Sequence, residues 1–170
     1  MHLESKKIII REFNLGDIFG LRRLLSSEYV ATWMPGWFKC AEFVGEWLAE
    51  VIDSYYDDEL DEYSSYAVSD RQSGVLIGRA DYIIQDDEIC VSVLINPSYI
   101  ERGHLTESYK TLLEYLRDKH KDKQIEIISR AENAEENEAI EKIGLRLDKV
   151  NRVEEVKVFN HYKTQRGTPL

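Results

Sequence analysis

Between Ile89 and Ile95 the chain reads ICVSVLI, in which Ile89, Val91, Val93 and Ile95 alternate with Cys90, Ser92 and Leu94. Nearly every position is apolar or small, which predicts a strand covered on both faces. Asn96-Pro97 ends it, because the residue before a proline is steered out of regular structure. Leu105, Tyr109, Leu112, Leu113 and Leu116 then fall on one stripe at helical spacing, and predict a helix that begins near Gly103 to Thr106.

The other elements follow from the same patterns. Lys7 to Phe13 (KIIIREF) predicts a first strand, and Asn14-x-x-Asp17 an N-cap for a helix whose apolar face is Ile18, Leu21, Leu24 and Leu25. Ala31 to Trp37 is an aromatic-rich break around Pro35-Gly36. Glu42 to Tyr56 carries Phe43, Val44, Trp47, Leu48, Val51, Ile52 and Tyr55 at helical spacing and runs into the acidic segment Asp57 to Glu62. Tyr63 to Ser69 and Val75 to Ile84 predict two strands joined by a hairpin turn at Asp70 to Gly74, and Gln85 to Glu88 turns into the Ile89 strand. Gln124 to Ser129 predicts a further strand, parallel to the Ile89 strand because a helix separates the two and such crossovers are right-handed. Ala134 to Ile143 is a short acidic helix stopped by Gly144. Leu145 to Val150 and Val153 to Tyr162 are two last strands separated by Asn151-Arg152, and residues 163–170 form a loose tail.

Composition narrows the class. A chain of 170 residues fits one domain, and 43% apolar with 32% charged residues is ordinary for a globular protein. No apolar run approaches the roughly 18 residues of a membrane span, and MHLESKK lacks a signal-peptide core, so a cytoplasmic location is expected. Cys40 and Cys90 offer neither a disulfide framework nor metal-ligand spacing, and no metal is expected. A net charge of −10 argues against nucleic acid and anionic membrane as partners and favours a cationic one. The acidic Asp57 to Glu62 segment reads either as a solvated linker or as a surface that attracts a cationic peptide or polyamine. Trp33 and Trp37 either plug the edge of the core or line a pocket mouth.

The strand, tight turn and helix start around Gly103 aim unsatisfied backbone N–H groups and the positive end of a helix dipole at one spot, a way to hold phosphate oxygens. Gly103 permits close approach, and Arg102 and His104 flank it. The segment Asn96-Pro97-Ser98-Tyr99 followed by Arg102-Gly103-His104-Leu105-Thr106-Glu107 resembles the acetyl-CoA pyrophosphate loop of the GNAT superfamily of N-acyltransferases, especially its ribosomal-protein N-acetyltransferase-like branch. Gly103 and the Thr106-Glu107 pair match, whereas Ile100 and Leu105 depart from the pattern. Further on, Asn133-Ala134-Glu135-Glu136 and Glu141-Lys142-Ile143-Gly144-Leu145 resemble the family's Asn-x-x-Ser and Glu-Lys-Leu-Gly-Phe motifs, with Glu136 in place of the serine.

The resemblance implies an α/β fold: a mixed, mostly antiparallel twisted sheet of about seven strands with a central splayed parallel pair, flanked by about four helices. It implies acetyl-CoA as co-substrate, the pantetheine pairing with backbone near Val93, Leu94 and Ile95, and the pyrophosphate on Arg102, Gly103, His104, Leu105 and Thr106. Asn133 would either bond the pantetheine arm or cap a strand end. Trp33 and Trp37 would border the acceptor site. The acceptor would be a small amine or a protein N-terminus that attacks the acetyl group directly in a ternary complex; a catalytically weakened binding or regulatory module is the alternative. Relatives that dimerise through sheet edges or terminal strands raise a homodimer. A base carboxylate of the resembled branch falls at Cys90 here, which leaves Glu88, two residues earlier on the same strand face, as a candidate base or as a solvated hairpin residue. The relatives' general acid falls at Ile140 and Glu136, and Glu136 could relay a proton through water if burial raised its pKa.

Overall fold

The computed structural model describes residues 1–56, 63–153 and 157–164. Its strands are β1 (His2–Glu4), β2 (Ile8–Arg11), β3 (Tyr63–Asp70), β4 (Leu76–Gln85), β5 (Glu88–Ile95), β6 (Gln124–Arg130), β7 (Arg146–Val153) and β8 (Lys157–Lys163). Its α-helices are α1 (Ile18–Leu25), α2 (Glu28–Trp33), α3 (Pro35–Lys39), α4 (Val44–Ser54), α5 (Pro97–Ile100), α6 (His104–Lys119) and α7 (Ala134–Lys142). One sheet contains all eight described strands in the order β1-β2-β3-β4-β5-β6-β8-β7. Every neighbouring pair is antiparallel except β5 and β6, the parallel pair that the strand–helix–strand order predicts.

Two apolar clusters hold the layers together. On one face α6 and α7 pack Leu105, Tyr109, Leu112, Leu113, Leu116 and Ile140 against Ile8, Val68, Tyr82, Val91 and Val93. On the other face α1 to α4 pack Leu21, Leu24, Leu48 and Val51 against Ala67 and Leu94. This second layer stops at β5. Cys90 and Ser92 are only half-buried and Ile128 on β6 is 41% exposed, so the lower part of β5 is covered on one face alone, contrary to the expectation for a run so apolar.

Other boundaries differ from the sequence pattern for local reasons. The Ala31 to Trp37 segment is helical on both sides of Met34: Ser27 caps α2, and Pro35 opens α3 at a position where its missing N–H costs nothing. Asn151 and Arg152, read as a turn, lie within β7 opposite Phe159 and Val158. The extra strand β1 pairs with β2, where too few residues precede Lys7 for a period to show. Lys163 belongs to β8, and Thr164 exchanges hydrogen bonds with the Ile125 backbone; residues 165–170 and the acidic segment at 57–62 lie outside the described residues.

Candidate functional site: an opened parallel pair beneath a helix N-terminus

The β5–β6 ladder runs from Glu88↔Gln124 to Val91↔Ile127 and then stops. Beyond it β5 keeps pairing with β4 through Ile95, while β6 pairs with β8 through Ile128↔His161, Ser129↔Asn160 and Arg130↔Phe159. Backbone direction alternates along β5. Asn96 N–H donates to Ile77 on the β4 side, so Val93 and Ile95 turn their amides and carbonyls into the gap. Gly78 keeps the β4 side tight: a Cβ there would stand 2.2 Å from the Leu94 carbonyl oxygen.

Above the gap, Gly103 adopts φ +79° and opens α6, whose first free amides are those of His104, Leu105 and Thr106. A groove of about 280 Å³ lies there between α6 and α7, lined by Gly103, Leu105, Thr106, Glu135, Glu138 and Lys142 among others. Lys7 Nζ donates to the Arg102 carbonyl at 2.6 Å and would be 2.9 Å from a Cβ on Gly103, and the Arg102 guanidinium lies 5.0 Å from the Tyr99 ring centre. Lys142 pairs with Glu138 at 2.7 Å. Free amides, Lys7 and Arg102 suit an anionic ligand, with Glu135 and Glu138 opposing on the α7 wall.

A buried polar network closes the inner side of the gap. Tyr109 reaches from α6, its hydroxyl faced by the Val93 amide, and donates to Glu136 Oε1 at 2.7 Å. Asn133 caps α7 and donates its amide to Glu136 Oε2 at 3.1 Å and to the Tyr29 hydroxyl at 3.4 Å. Glu136 is 7% exposed, and burial pushes its carboxyl up to about 7 against the opposing pull of the Tyr109 and Asn133 hydrogen bonds. Burial, followed by the Glu136 charge, raises Tyr109 well above the ordinary phenol value.

On the opposite face a cavity of about 530 Å³ opens over the uncovered end of the sheet, lined by Asp86, Asp87, Glu88, Cys90, Glu126 and Ile128 among others. Among the described residues no group of three or more His, Cys, Asp or Glu could hold a metal ion.

An acetyltransferase (GNAT) domain family matches residues 7–146. The chain belongs to the GNAT acetyltransferase family. It is an acetyl-CoA-dependent N-acyltransferase domain. No curated protein sequence is detectably similar to it. Its fold is similar to that of a GNAT-family acetyltransferase from Bacillus anthracis (17% identity, TM-score 0.82, covering 99% of this chain and 100% of that one). It is also similar to a ribosomal-protein-S5-alanine acetyltransferase from Vibrio fischeri (12%, 0.81, 98% and 97%) and to RimL, a ribosomal-protein α-N-acetyltransferase solved with coenzyme A (12%, 0.80, 96% and 97%). At these identities the likeness is one of fold.

Within this GNAT domain, Val93, Ile95, Gly103, Thr106, Asn133 and Glu136 gather around the gap and its groove, and Arg102 stands exposed at the rim, whereas Leu94 turns its backbone to Arg79 on β4 and its side chain into the core of the other face. Two neighbours of Gly103 turn away. His104 is buried with Nε2 3.0 Å from Asp70 Oδ1 on β3, so its side chain turns away from the groove. Leu105 is 2% exposed and sits in the core stripe of α6, so its side chain does not crowd a phosphate site.

Glu88 is ion-paired with Lys163, which holds its carboxyl below the ordinary range, a direction unfavourable for a base near neutral pH. Trp37 packs edge-on against Trp47 (5.5 Å) and over the buried Arg79 guanidinium (3.6 Å), and Trp33 is half-buried at the end of α2. Trp37 also lines a cavity of about 300 Å³ with Cys40, Phe43 and Trp47, so it both packs and borders a pocket.

Tyr109, Glu126 and His161 were not singled out from the sequence. Tyr109 occupies an ordinary position of an apolar stripe, where only its polar handle hints at a partner. Glu126 offered a clearer signal, an acid in the middle of an otherwise apolar strand.

Proposed function

We propose that this GNAT domain binds acetyl-CoA across the β5–β6 gap and passes the acetyl group to a primary amine of a small molecule or a protein N-terminus by direct attack in a ternary complex. What supports the reading is the parallel pair that parts after Val91↔Ile127, together with the free amides at the start of α6, whose Leu105 shares a core cluster with Val93 and Ile95. The pantetheine would pair with the edge of β5 that β6 leaves at Val93 and Ile95, and the pyrophosphate would meet the Gly103 to Thr106 amides, Lys7 and Arg102. RimL, solved with coenzyme A, shares this fold.

The leaving thiolate needs a proton. When Glu136 is protonated it can donate to the Tyr109 oxygen, and the phenol hydrogen then becomes free for an acceptor in the gap. With a carboxyl at about 7, a substantial fraction of molecules holds that proton near neutral pH. The acceptor approaches from the opposite face, where an acidic cavity and the net charge of −10 favour a cation.

Thermal unfolding with and without ligand tests the reading. A ligand that binds only the folded state stabilises by roughly 2.7 kcal/mol at about a hundred times Kd, and each kcal/mol moves the midpoint of a domain this size by roughly 2–4 °C. Acetyl-CoA at about 1 mM should therefore raise Tm by roughly 5–10 °C for a Kd on the order of 10 μM, and adenosine by much less. Free thiol should then appear when spermidine, ethylamine or an unblocked peptide is added. An unshifted melting curve with acetyl-CoA, in a folded protein, would refute the reading.

A further inference from the structure

The parallel register sets Glu126 of β6 directly beside Cys90 of β5. Both side chains line the same cavity, and both lie one residue below the point at which the strands part. Glu126 is buried in spite of its charge, a costly placement unless the carboxylate is held by partners. On β8, His161, itself buried, has Nδ1 2.9 Å from Glu126 Oε1, and Lys163 Nζ stands 3.8 Å from the same oxygen. Both contacts converge on Oε1, and the second oxygen has no hydrogen bond to a described residue.

We infer that Glu126, oriented by His161, is the acceptor-side carboxylate of this domain: it holds the incoming ammonium in the cavity over β5 and β6 and takes its proton. The inference rests on the acyl-transfer reading above. A primary ammonium gives one proton to the Glu126 carboxylate, and the freed nitrogen lone pair attacks the acetyl carbonyl carbon. A C–N bond forms, the C–S bond breaks as the tetrahedral adduct collapses, and the sulfur leaves with its electron pair and takes a proton from the Tyr109–Glu136 pair. The second nitrogen proton goes to solvent, and Glu126 and Glu136 return to their starting states by exchange with water. One acetamide, one thiol and one net proton result.

The geometry also accounts for the neighbours. Glu88 and Cys90 face Glu126 from β5, His161 and Lys163 from β8, Asp86 and Asp87 from the β4–β5 turn, and Lys149 on β7 pairs in register with His161. Lys163 is already engaged by Glu88. Burial and the charges of Glu126 and Glu88 push the Cys90 thiol up, which keeps it a neutral wall of the cavity rather than a competing nucleophile.

The experiment uses the whole protein, acetyl-CoA, and two acceptors that differ in their need for a base: spermidine, cationic at pH 7, and hydroxylamine, already neutral there. General-base catalysis contributes on the order of 10²–10⁴. Glu126→Gln should lower spermidine-dependent thiol release by about 100-fold or more and hydroxylamine-dependent release by less than about tenfold, with the acetyl-CoA shift in Tm retained. Raising the pH should narrow the spermidine deficit, because solution then supplies the neutral amine.

His161→Asn, which leaves the carboxylate but not its orienting partner, should lower the spermidine rate by about tenfold and respond to pH in the same direction. Equal losses with both acceptors, or a spermidine rate that Glu126→Gln leaves intact, would overturn the inference while the acyl-transfer reading stands. A wild-type protein that neither binds nor turns over acetyl-CoA would overturn that reading first.

Discussion

The Tyr109 hydroxyl donates a 2.7 Å hydrogen bond to Glu136 Oε1 inside the core, so a carboxyl group on α7 is fastened to the phenol that stands beside the Val93 amide. Both groups are buried, which makes their proton a shared property of the gap between β5 and β6. Its consequences can be measured in stability as well as in turnover.

Glu136 should make the fold less stable as pH rises. Its carboxyl, pushed up to about 7 by burial, lies above the ordinary value of 4.5, so the folded chain binds the proton more tightly than the unfolded chain. That contribution is fully present below about pH 4.5 and is lost as pH climbs through about 7. Glu136→Gln removes it, and the stability difference between variant and wild type should move in the variant's favour by about 3 kcal/mol between pH 4.5 and 8. Urea unfolding of both proteins at a series of pH values checks this. A flat difference would mean that Glu136 is not held in an apolar setting.

Leu105 should matter for the core. Buried Leu→Ala substitutions cost about 2–5 kcal/mol, because the lost transfer energy is joined by a cavity. Leu105→Ala should destabilise within that range in denaturant titration, with acetyl-CoA affinity, measured by calorimetry on folded protein, falling by less than about threefold. A tighter complex would show instead that the leucine crowds the phosphate groove.

Gly78 should tolerate no side chain. A Cβ would meet the Leu94 carbonyl oxygen at 2.2 Å and Ile95 Cδ1 at 2.5 Å, and the first of these is backbone. Gly78→Ala should cost about 1–3 kcal/mol, the usual range for overpacking, and should weaken acetyl-CoA binding because β5 shifts toward the gap. An amide exchange experiment should show lower protection at Asn96, which donates to Ile77 across this junction.

What the chain alone determined is what neighbours in sequence decide. Alternation set the strands, the stripe from Leu105 to Leu116 set α6, and the glycine before it, at φ +79°, marked where α6 begins. Strand–helix–strand order set the parallel pair, since a chain of that length can return only by a crossover. Tertiary structure decided which face each side chain met. His104 looked like a ligand beside a phosphate loop, yet it turns inward to Asp70, 34 residues earlier in the chain.

Whether Glu136 on its acidic helix is buried could not be read from the chain, and Tyr109 and Asn133 enclose it. Glu126 comes to lie beside Cys90 only because β6 returns parallel to β5. Burial and partnership, which govern where a proton resides, depend on elements distant in sequence coming to rest against one another, and local periodicity carries no record of those distances.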